Sequence, residues 1–173
     1  MELKHALSVH IERIFSLYKS IVEAVAKTSV KLGWNTDVYP SLEWIKECVS
    51  KNEMLIFCDG ENIVGSCAVN HSVNEEYNLI DWKIKGPVER ISTIHAFCVE
   101  PSLWHSGVSS RFLDAVLDFC KKSGDLANHL DVIDTNDKAC KLYLNAGFEE
   151  RGQIQMFYEV VGTRTFTMME YVF

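Results

Sequence analysis

Small residues cluster between residues 104 and 110, immediately before a predicted amphipathic helix. Gly107 lies among Ser106, Ser109 and Ser110, so a ligand could approach the main chain closely at this point. The first N–H groups of a helix lack intrahelical partners, and the helix dipole adds about half a positive charge at that end. Phosphate and pyrophosphate bind such a terminus. The stretch therefore predicts an anion-binding loop.

A second group of residues with chemical potential follows the helix. Asn136 precedes a helical pattern that contains Ala139 and Tyr143 and ends at Gly147. A phenol at position 143 can donate a hydrogen bond or a proton to a leaving thiolate, whose pKa is about 8.5. Together the two stretches indicate a coenzyme-binding transferase.

The elements that must position these residues form one mixed α/β domain over residues 1–173. A strand at 91–99, apolar on both faces, leads into the anion loop, and a strand at 129–133 leads to Asn136. The first half of the chain predicts an edge strand at 2–6, a helix capped by Ser8 that reaches Val25, and a helix capped by Ser41 that reaches Val49. A hairpin of 54–58 and 63–70 follows, with its turn at Asp59-Gly60. The segment 77–84 is compatible with helix or strand, and a second hairpin of 155–160 and 165–171 closes the domain.

With these elements in place, the chain resembles the GNAT superfamily of acyl-CoA-dependent N-acyltransferases, chiefly over residues 91–148. The family signature is Gln or Arg, two residues, Gly, one residue, then Gly or Ala, and it maps onto the run from Trp104 to Ser109. Gly107 matches, whereas Trp104 replaces the Gln or Arg. The second match comprises Leu130-Asp-Val132, Asn136, Ala139, Leu142, Tyr143 and Gly147-Phe148. The resemblance implies a central, mostly antiparallel mixed sheet flanked by helices.

The resemblance also implies an N-acetyltransferase that uses acetyl-CoA as cosubstrate. A primary amine of a small molecule or peptide would attack the thioester directly in a ternary complex, and main-chain N–H groups near 97–99 would polarise the thioester carbonyl. The coenzyme-binding residues implied in this way are Phe97, Cys98, Val99, Trp104, His105, Ser106, Gly107, Val108, Ser109, Ser110, Asn136 and Tyr143.

Tyr143 is the candidate acid, whereas the base is left open between several residues. Thr93 stands where some relatives carry a basic Glu, and threonine cannot act as a base. His95 has a suitable pKa, but a lone histidine in the middle of an apolar strand is more often a buried structural residue than a base. Glu100 and Glu159 are alternatives.

A non-catalytic module that binds a coenzyme or another ligand is the competing prediction, because Trp104 departs from the family pattern and no base is evident. In this fold the acceptor pocket is built from variable loops, here 28–42, 71–90 and 155–165, so the acceptor is not identified. The chain is expected to be a monomer or a homodimer.

Composition restricts the remaining function classes. A net charge of −7 argues against nucleic acid as the main partner, which requires clustered Lys and Arg. The six cysteines lack metal-ligand spacing, so no metal is expected. No apolar run reaches the roughly 18 residues that span a membrane, and the first residues lack the apolar block of a signal peptide. We therefore expect a cytoplasmic location and no membrane partner.

Overall fold

A computed structural model describes all residues, 1–173. It contains seven strands in one sheet and four α-helices. In chain order these elements are β1 (Glu2–His5), α1 (Ile11–Val25), α2 (Leu42–Ser50), β2 (Met54–Asp59), β3 (Asn62–Asn70), β4 (Ile91–Val99), α3 (Val108–Ser123), β5 (Ala127–Ile133), α4 (Asp137–Ala146), β6 (Glu149–Tyr158) and β7 (Gly162–Val172).

The sheet has the strand order β1-β2-β3-β4-β5-β7-β6. Every neighbouring pair is antiparallel except β4 and β5, which run parallel and are connected through α3. A parallel pair requires such a crossover, whereas the antiparallel neighbours β2–β3 and β6–β7 are joined by short turns, the first at Asp59-Gly60. The predicted mixed, mostly antiparallel sheet with flanking helices is confirmed.

Helices cover both faces of the sheet, as alternation along β2 shows. Leu55 and Phe57 pack in one core cluster with α3 and α4, whereas Met54 and Ile56 pack in another cluster with α1 and α2. Successive side chains of a strand point to opposite faces, so the two clusters lie on opposite sides of the sheet. A third, smaller cluster joins Tyr77 to β5, β6 and β7.

Three elements differ from the sequence prediction. Ser8 lies in a 3-10 turn and does not cap α1; the imidazole Nδ1 of His10 instead accepts the N–H of Leu7 at 2.9 Å. The segment 77–84 is neither a full helix nor a strand, because only a 3-10 turn at Glu75–Leu79 interrupts an irregular loop. β6 begins at Glu149, earlier than predicted. The sequence did not indicate this first half of the strand, because it is largely exposed and shows no alternation of apolar residues.

Candidate active site

The strands β4 and β5 pair over only three residues and then separate. Their partners are Ile91 with Ala127, Ser92 with Asn128, and Thr93 with His129. Beyond Thr93, β4 continues to pair with β3 on its other edge. Alternate main-chain groups of β4 therefore face an open gap instead of a neighbouring strand. This gap forms the centre of a cleft of about 1080 Å³.

A β-bulge shapes the β4 side of the gap. Ser66 pairs with Cys98 but Ala68 pairs with His95, so β4 contains one residue more than β3 between these pairs. Ala96 adopts a left-handed conformation with φ of 49°. The hydroxyl of Tyr18, a fully buried residue of α1, donates to the Ala96 carbonyl oxygen at 2.9 Å and holds the bulge in place.

The N-terminus of α3 opens onto the same cleft. Gly107 is its N-cap residue with φ of 82°, a left-handed conformation that favours glycine, and no side chain caps the helix. The N–H groups of Val108, Ser109 and Ser110 have no acceptor in the protein. The structure thus contains the arrangement of groups that the predicted anion site requires. Unpaired main-chain N–H groups at the start of α3 lie beside the ends of the separated strands.

Trp104 takes the place of the family's Gln or Arg and forms a specific contact. Its indole Nε1 donates to the carbonyl oxygen of Val99 at 2.9 Å, and its ring packs against the α1 and α2 cluster. The loop is thereby joined to the end of β4. Of the predicted coenzyme residues, those that line the cleft are Phe97, Cys98, Val99, Trp104, His105, Gly107, Ser109, Ser110, Asn136 and Tyr143.

Ser106 and Val108 are not among the residues that line the cleft, and their side chains have structural roles. The hydroxyl of Ser106 donates to the carbonyl oxygen of Leu103, and the side chain of Val108 is buried in the core under α3. The main-chain N–H of Ser106 donates to the carbonyl oxygen of Leu103, whereas that of Val108 is available to a ligand.

Asn136 begins α4, and its side-chain oxygen accepts the N–H of Ala139 at 3.2 Å. The residue therefore caps the helix as well as lining the cleft. Lys138 and Lys141, both exposed, extend the same wall with positive charge. The cleft is thus cationic on the α4 side.

Tyr143 is buried on α4 and its ring lies between two other aromatic rings. The ring centroids are 6.2 Å from Phe97 and 5.4 Å from Phe148, both with edge-to-face geometry. The hydroxyls of Tyr18 and Tyr77 have protein partners, but that of Tyr143 has none and faces the cleft. Burial raises its pKa, so the phenol stays protonated and can donate to a group in the cleft.

His95 also lines the cleft, and a chain of hydrogen bonds holds its ring. The side-chain oxygen of Asn70 lies 3.0 Å from His95 Nε2, while the Asn70 amide nitrogen donates to Glu53 at 3.1 Å. Because the amide is oriented by Glu53, its oxygen faces the imidazole and Nε2 carries the hydrogen. Burial lowers the pKa of His95, which favours the neutral ring.

Glu100 and Glu159 occupy different places. Glu100 accepts a hydrogen bond from the Ser102 hydroxyl and does not line the cleft. Glu159 lies at the exposed end of the β6–β7 hairpin and lines the cleft at its rim. Of the three predicted bases, the structure brings only His95 to the central part of the cleft.

Asp131 is a site residue that the sequence reasoning missed. It lies on β5 two residues beyond the last β4–β5 pair and lines the cleft. Its Oδ2 accepts the Tyr77 hydroxyl at 2.7 Å. Burial raises the pKa of Asp131, although the Tyr77 hydrogen bond opposes that shift. The signal in the sequence was a carboxylate within an otherwise apolar strand, Leu130-Asp131-Val132.

Asp131 and Tyr143 approach the gap from opposite faces of the sheet. Leu130 and Val132 pack with α4 in the first core cluster, so Asp131 between them points to the face covered by α1 and α2. Burial raises the pKa of Tyr143, and the charge of Asp131 adds to that shift. The carboxylate and the phenol therefore line one cleft from its two sides.

The cleft wall on the Asp131 face comes from three loops and is rich in aromatic residues. The segment 71–90 belongs to this wall, and Glu170, a buried residue of β7 that is distant in sequence, holds it in place. Its two carboxylate oxygens accept the main-chain N–H groups of Lys83 and Ile84 at 2.8 Å and 3.0 Å. Between Tyr77 and Lys83, the indole of Trp82 stacks on His129 with ring centroids 3.7 Å apart.

The site geometry agrees with comparisons with known proteins. The profile of the acetyltransferase (GNAT) family matches residues 12–148 of this chain. The chain belongs to the GNAT family. The match includes the separated strands, the α3 loop and α4, and it ends at Phe148. The resemblance inferred from the two sequence motifs is therefore confirmed.

Curated relatives are similar over part of their length. The N-alpha-acetyltransferase RimI of Mycobacterium tuberculosis is 33% identical over 75 residues, which cover 43% of this chain and 46% of that protein. An uncharacterized protein of Mycobacterium leprae is also 33% identical over 75 residues, which cover 20% of its length. The matched region thus spans less than half of each of these relatives.

Solved GNAT structures share the fold across the whole chain. An acetyltransferase of the GNAT family from Streptococcus agalactiae superposes with a TM-score of 0.82 at 17% identity, covering 99% of this chain and 95% of that one. The structure of yncA from Salmonella typhimurium with its cofactor acetyl-CoA superposes with a TM-score of 0.68 at 16% identity, covering 99% and 93%. A ribosomal-protein-alanine N-acetyltransferase from Brucella melitensis gives 0.72 at 15% identity, covering 100% of both chains.

Two further structural findings concern metals and membranes. Nowhere does the structure gather three or more His, Cys, Asp or Glu side chains in a group that could hold a metal ion. None of the helices has the length and apolar character that crossing a membrane requires.

Proposed function

We propose that this GNAT-family protein transfers an acetyl group from acetyl-CoA to a primary amine in a ternary complex. The observation that carries the proposal is the convergence of three features on one cleft: the unpaired amides at the start of α3, the gap between β4 and β5, and the free hydroxyl of Tyr143. Holding both substrates in this cleft contributes through proximity and orientation.

The α3 loop would hold the pyrophosphate of the coenzyme. Main-chain N–H groups of Val108, Ser109 and Ser110 supply donors, and His105 and Gly107 are both in left-handed conformations that turn the loop around them. The pantetheine arm would lie along the gap, where β4 groups lack a β5 partner. Asn136, Lys138 and Lys141 would border it on the α4 side.

Main-chain donors of β4 and the Tyr143 hydroxyl would stabilise the charges that develop during transfer. N–H groups in the 97–99 stretch would donate to the thioester oxygen as negative charge forms on it. The Tyr143 phenol would donate its proton or a hydrogen bond to the departing thiolate. The bulge at Ala96, fixed by Tyr18, keeps this stretch in one conformation.

We assign the base to Asp131 in preference to His95. Asp131 lies on β5 just beyond the last β4–β5 pair and lines the cleft at the gap, which supports this assignment. Only Oδ2 is engaged, by Tyr77, so Oδ1 is free to receive the ammonium proton. His95 is held toward β3 by Asn70, which supports a secondary role at the edge of the cleft.

The names of similar proteins suggest one acceptor type. RimI is an N-alpha-acetyltransferase, and the Brucella melitensis structure is a ribosomal-protein-alanine N-acetyltransferase. A peptide N-terminus is accordingly a candidate acceptor for this chain, beside small amines.

Two measurements test the proposal. Saturating acetyl-CoA should raise the melting temperature, because a ligand of the native state stabilises it. Release of free CoA thiol should then depend on added amine. Absence of thermal stabilisation would contradict the coenzyme assignment. Stabilisation without thiol release for any amine or peptide would instead support the non-catalytic module.

A further inference from the structure

The acceptor side of the cleft is built mainly from aromatic rings. These rings belong to Trp34, Tyr39, Trp44, Tyr77, Phe157 and Tyr158. Contacts among rings hold several of them in place: Tyr39 lies 4.9 Å from Trp44, and Tyr158 lies 5.0 Å from Phe166, between centroids. Phe157 is 72% exposed and forms an apolar rim at the entrance.

The charges around the cleft are distributed unevenly. Its two lysines, Lys138 and Lys141, are both on α4, on the coenzyme side. No Lys or Arg lines the wall formed by residues 21–44, 70–77 and 157–161. The carboxylates that line the cleft are Asp131 and, at the rim, Glu159. The acceptor side therefore carries negative charge and no fixed positive charge.

Asp131 lies among the phenol groups of this wall. Tyr77 donates to it directly, and its charge contributes, after burial, to the raised pKa of Tyr39 and Tyr158. A carboxylate surrounded by aromatic rings attracts an alkylammonium group through an ion pair and cation–π contacts. A substrate carboxylate next to that ammonium would meet no cationic partner and would be repelled by Asp131.

We propose that the acceptor is a primary amine on an apolar or aromatic body that has no carboxylate beside the amino group. This class includes arylalkylamines and a peptide N-terminal residue, whose carboxyl group is an amide. Free α-amino acids are excluded. The inference rests on the proposed function, because it requires that the amine bind on the Asp131 face during acetyl transfer.

The test compares three acceptors that share one side chain, with acetyl-CoA saturating: 2-phenylethylamine, phenylalanine amide and phenylalanine. The amide matches phenylalanine in size but lacks its negative charge. Because the amino group of the amide is also less basic, 2-phenylethylamine, whose amine is strongly basic, is the control for basicity. We expect kcat/KM for phenylalanine to be at least about tenfold below that of the other two, a difference of about 1.4 kcal/mol. Equal or better use of phenylalanine would overturn the acceptor class while leaving acetyl transfer established.

A gain-of-function variant gives a second, independent readout. Val73 lines the cleft on the wall that lacks cations, so Val73→Lys should reduce the discrimination against phenylalanine. Val9→Lys is the matched control, because Val9 is 76% exposed outside the cleft, and it should leave the discrimination unchanged. Identical ratios in both variants would count against the charge argument. Thermal stabilisation by acetyl-CoA without acetylation of any of the three amines, or of any other amine or peptide, would contradict the proposed function itself.

Discussion

The indole Nε1 of Trp104 and the carbonyl oxygen of Val99 are joined by a hydrogen bond of 2.9 Å. This bond connects the loop that precedes α3 to the last residue of β4. In the family pattern a Gln or Arg occupies position 104, and its side chain helps to order the same loop. The tryptophan orders the loop from the β4 side, so the departure from the pattern leaves the main-chain amides of α3 in place.

Trp104→Phe should weaken coenzyme binding with little effect on the chemical step. Phenylalanine retains the packing against the α1 and α2 cluster but cannot donate to Val99, so the loop loses one positioning contact. A hydrogen bond of this kind contributes about 1 kcal/mol, which predicts a KM for acetyl-CoA about fivefold higher. Steady-state kinetics with acetyl-CoA varied would show it. A fall in kcat with KM unchanged would contradict the positioning role.

Tyr143→Phe should lower kcat by about a hundredfold, the lower end of the range for general acid catalysis. The hydroxyl contacts no other protein group, so the melting temperature and the stabilisation by acetyl-CoA should stay at wild-type values. Tyr171→Phe is the matched control, because Tyr171 also packs on Phe148 but lies outside the cleft. Full turnover by the Tyr143 variant with the best acceptor would remove the phenol from the mechanism.

Asp131→Asn should abolish most activity and at the same time stabilise the free protein. Burial raises the pKa of Asp131, so the folded chain holds that proton more strongly than the unfolded chain does. Stability from this group is therefore greatest below the unfolded pKa and falls as pH rises through the folded value. At pH 7 the variant should have a higher melting temperature than the wild-type protein. In acid the difference between the two melting temperatures should become smaller, because Asp131 of the wild-type protein is then protonated.

The same shift predicts how activity depends on pH. The carboxylate must be ionised to accept a proton, so kcat/KM should rise with pH through the elevated pKa of Asp131. The Asp131→Asn variant should lose that rising limb. If the limb persisted in Asp131→Asn and disappeared in His95→Gln, the base would be His95.

Glu170→Gln should loosen the acceptor wall without affecting the coenzyme side. Glutamine has one side-chain oxygen, so either the Lys83 or the Ile84 N–H loses its acceptor. An unpaired buried group of this type costs about 1–3 kcal/mol. We expect a lower melting temperature and a higher KM for the amine, with the KM for acetyl-CoA unchanged. An equal rise in both KM values would indicate a general loss of folding.

Gly65→Ala should destabilise the protein by about 1–3 kcal/mol through overpacking. A Cβ at this position would lie 2.9 Å from a ring carbon of Phe112 and 3.1 Å from the Cys98 carbonyl oxygen. Phe112→Leu removes the ring, so the double variant should lose less stability than the sum of the two single variants. Thermal unfolding of the four proteins measures this coupling, and strictly additive losses would contradict it.

Residues close together in sequence were the predictable part of the site. Gly107 and the helix after it, together with Asn136 and Tyr143, follow local rules for helix termini, and the structure places them in one cleft. Their roles remain proposals, as does the single-domain organisation of residues 1–173. The ends of both helices were also predictable, because Gly124 and Gly147 adopt the left-handed conformation that terminates a helix.

Long-range contacts explain what the sequence could not show. The segment 71–90 depends on Glu170, which lies more than eighty residues away, so no local pattern predicts its course. Asp131 looks like an ordinary polar residue until the separation of β4 from β5 places it in the gap. Glu100, by contrast, is close to the α3 loop in sequence, yet its carboxylate binds Ser102 outside the cleft.

The short β4–β5 pairing is a seam that divides the sheet into two parts, one from the N-terminal and one from the C-terminal portion of the chain. Residues 2–99 supply the four strands on one side of the seam, and residues 127–172 supply the three strands on the other. Three residue pairs provide the sheet contact across the seam, and α3 is the covalent connection. A coenzyme that hydrogen-bonds along the gap would act as an additional strand between the two parts. Coenzyme binding would then make the two parts of the sheet unfold together, so the difference in stability between them would be smallest in the coenzyme complex.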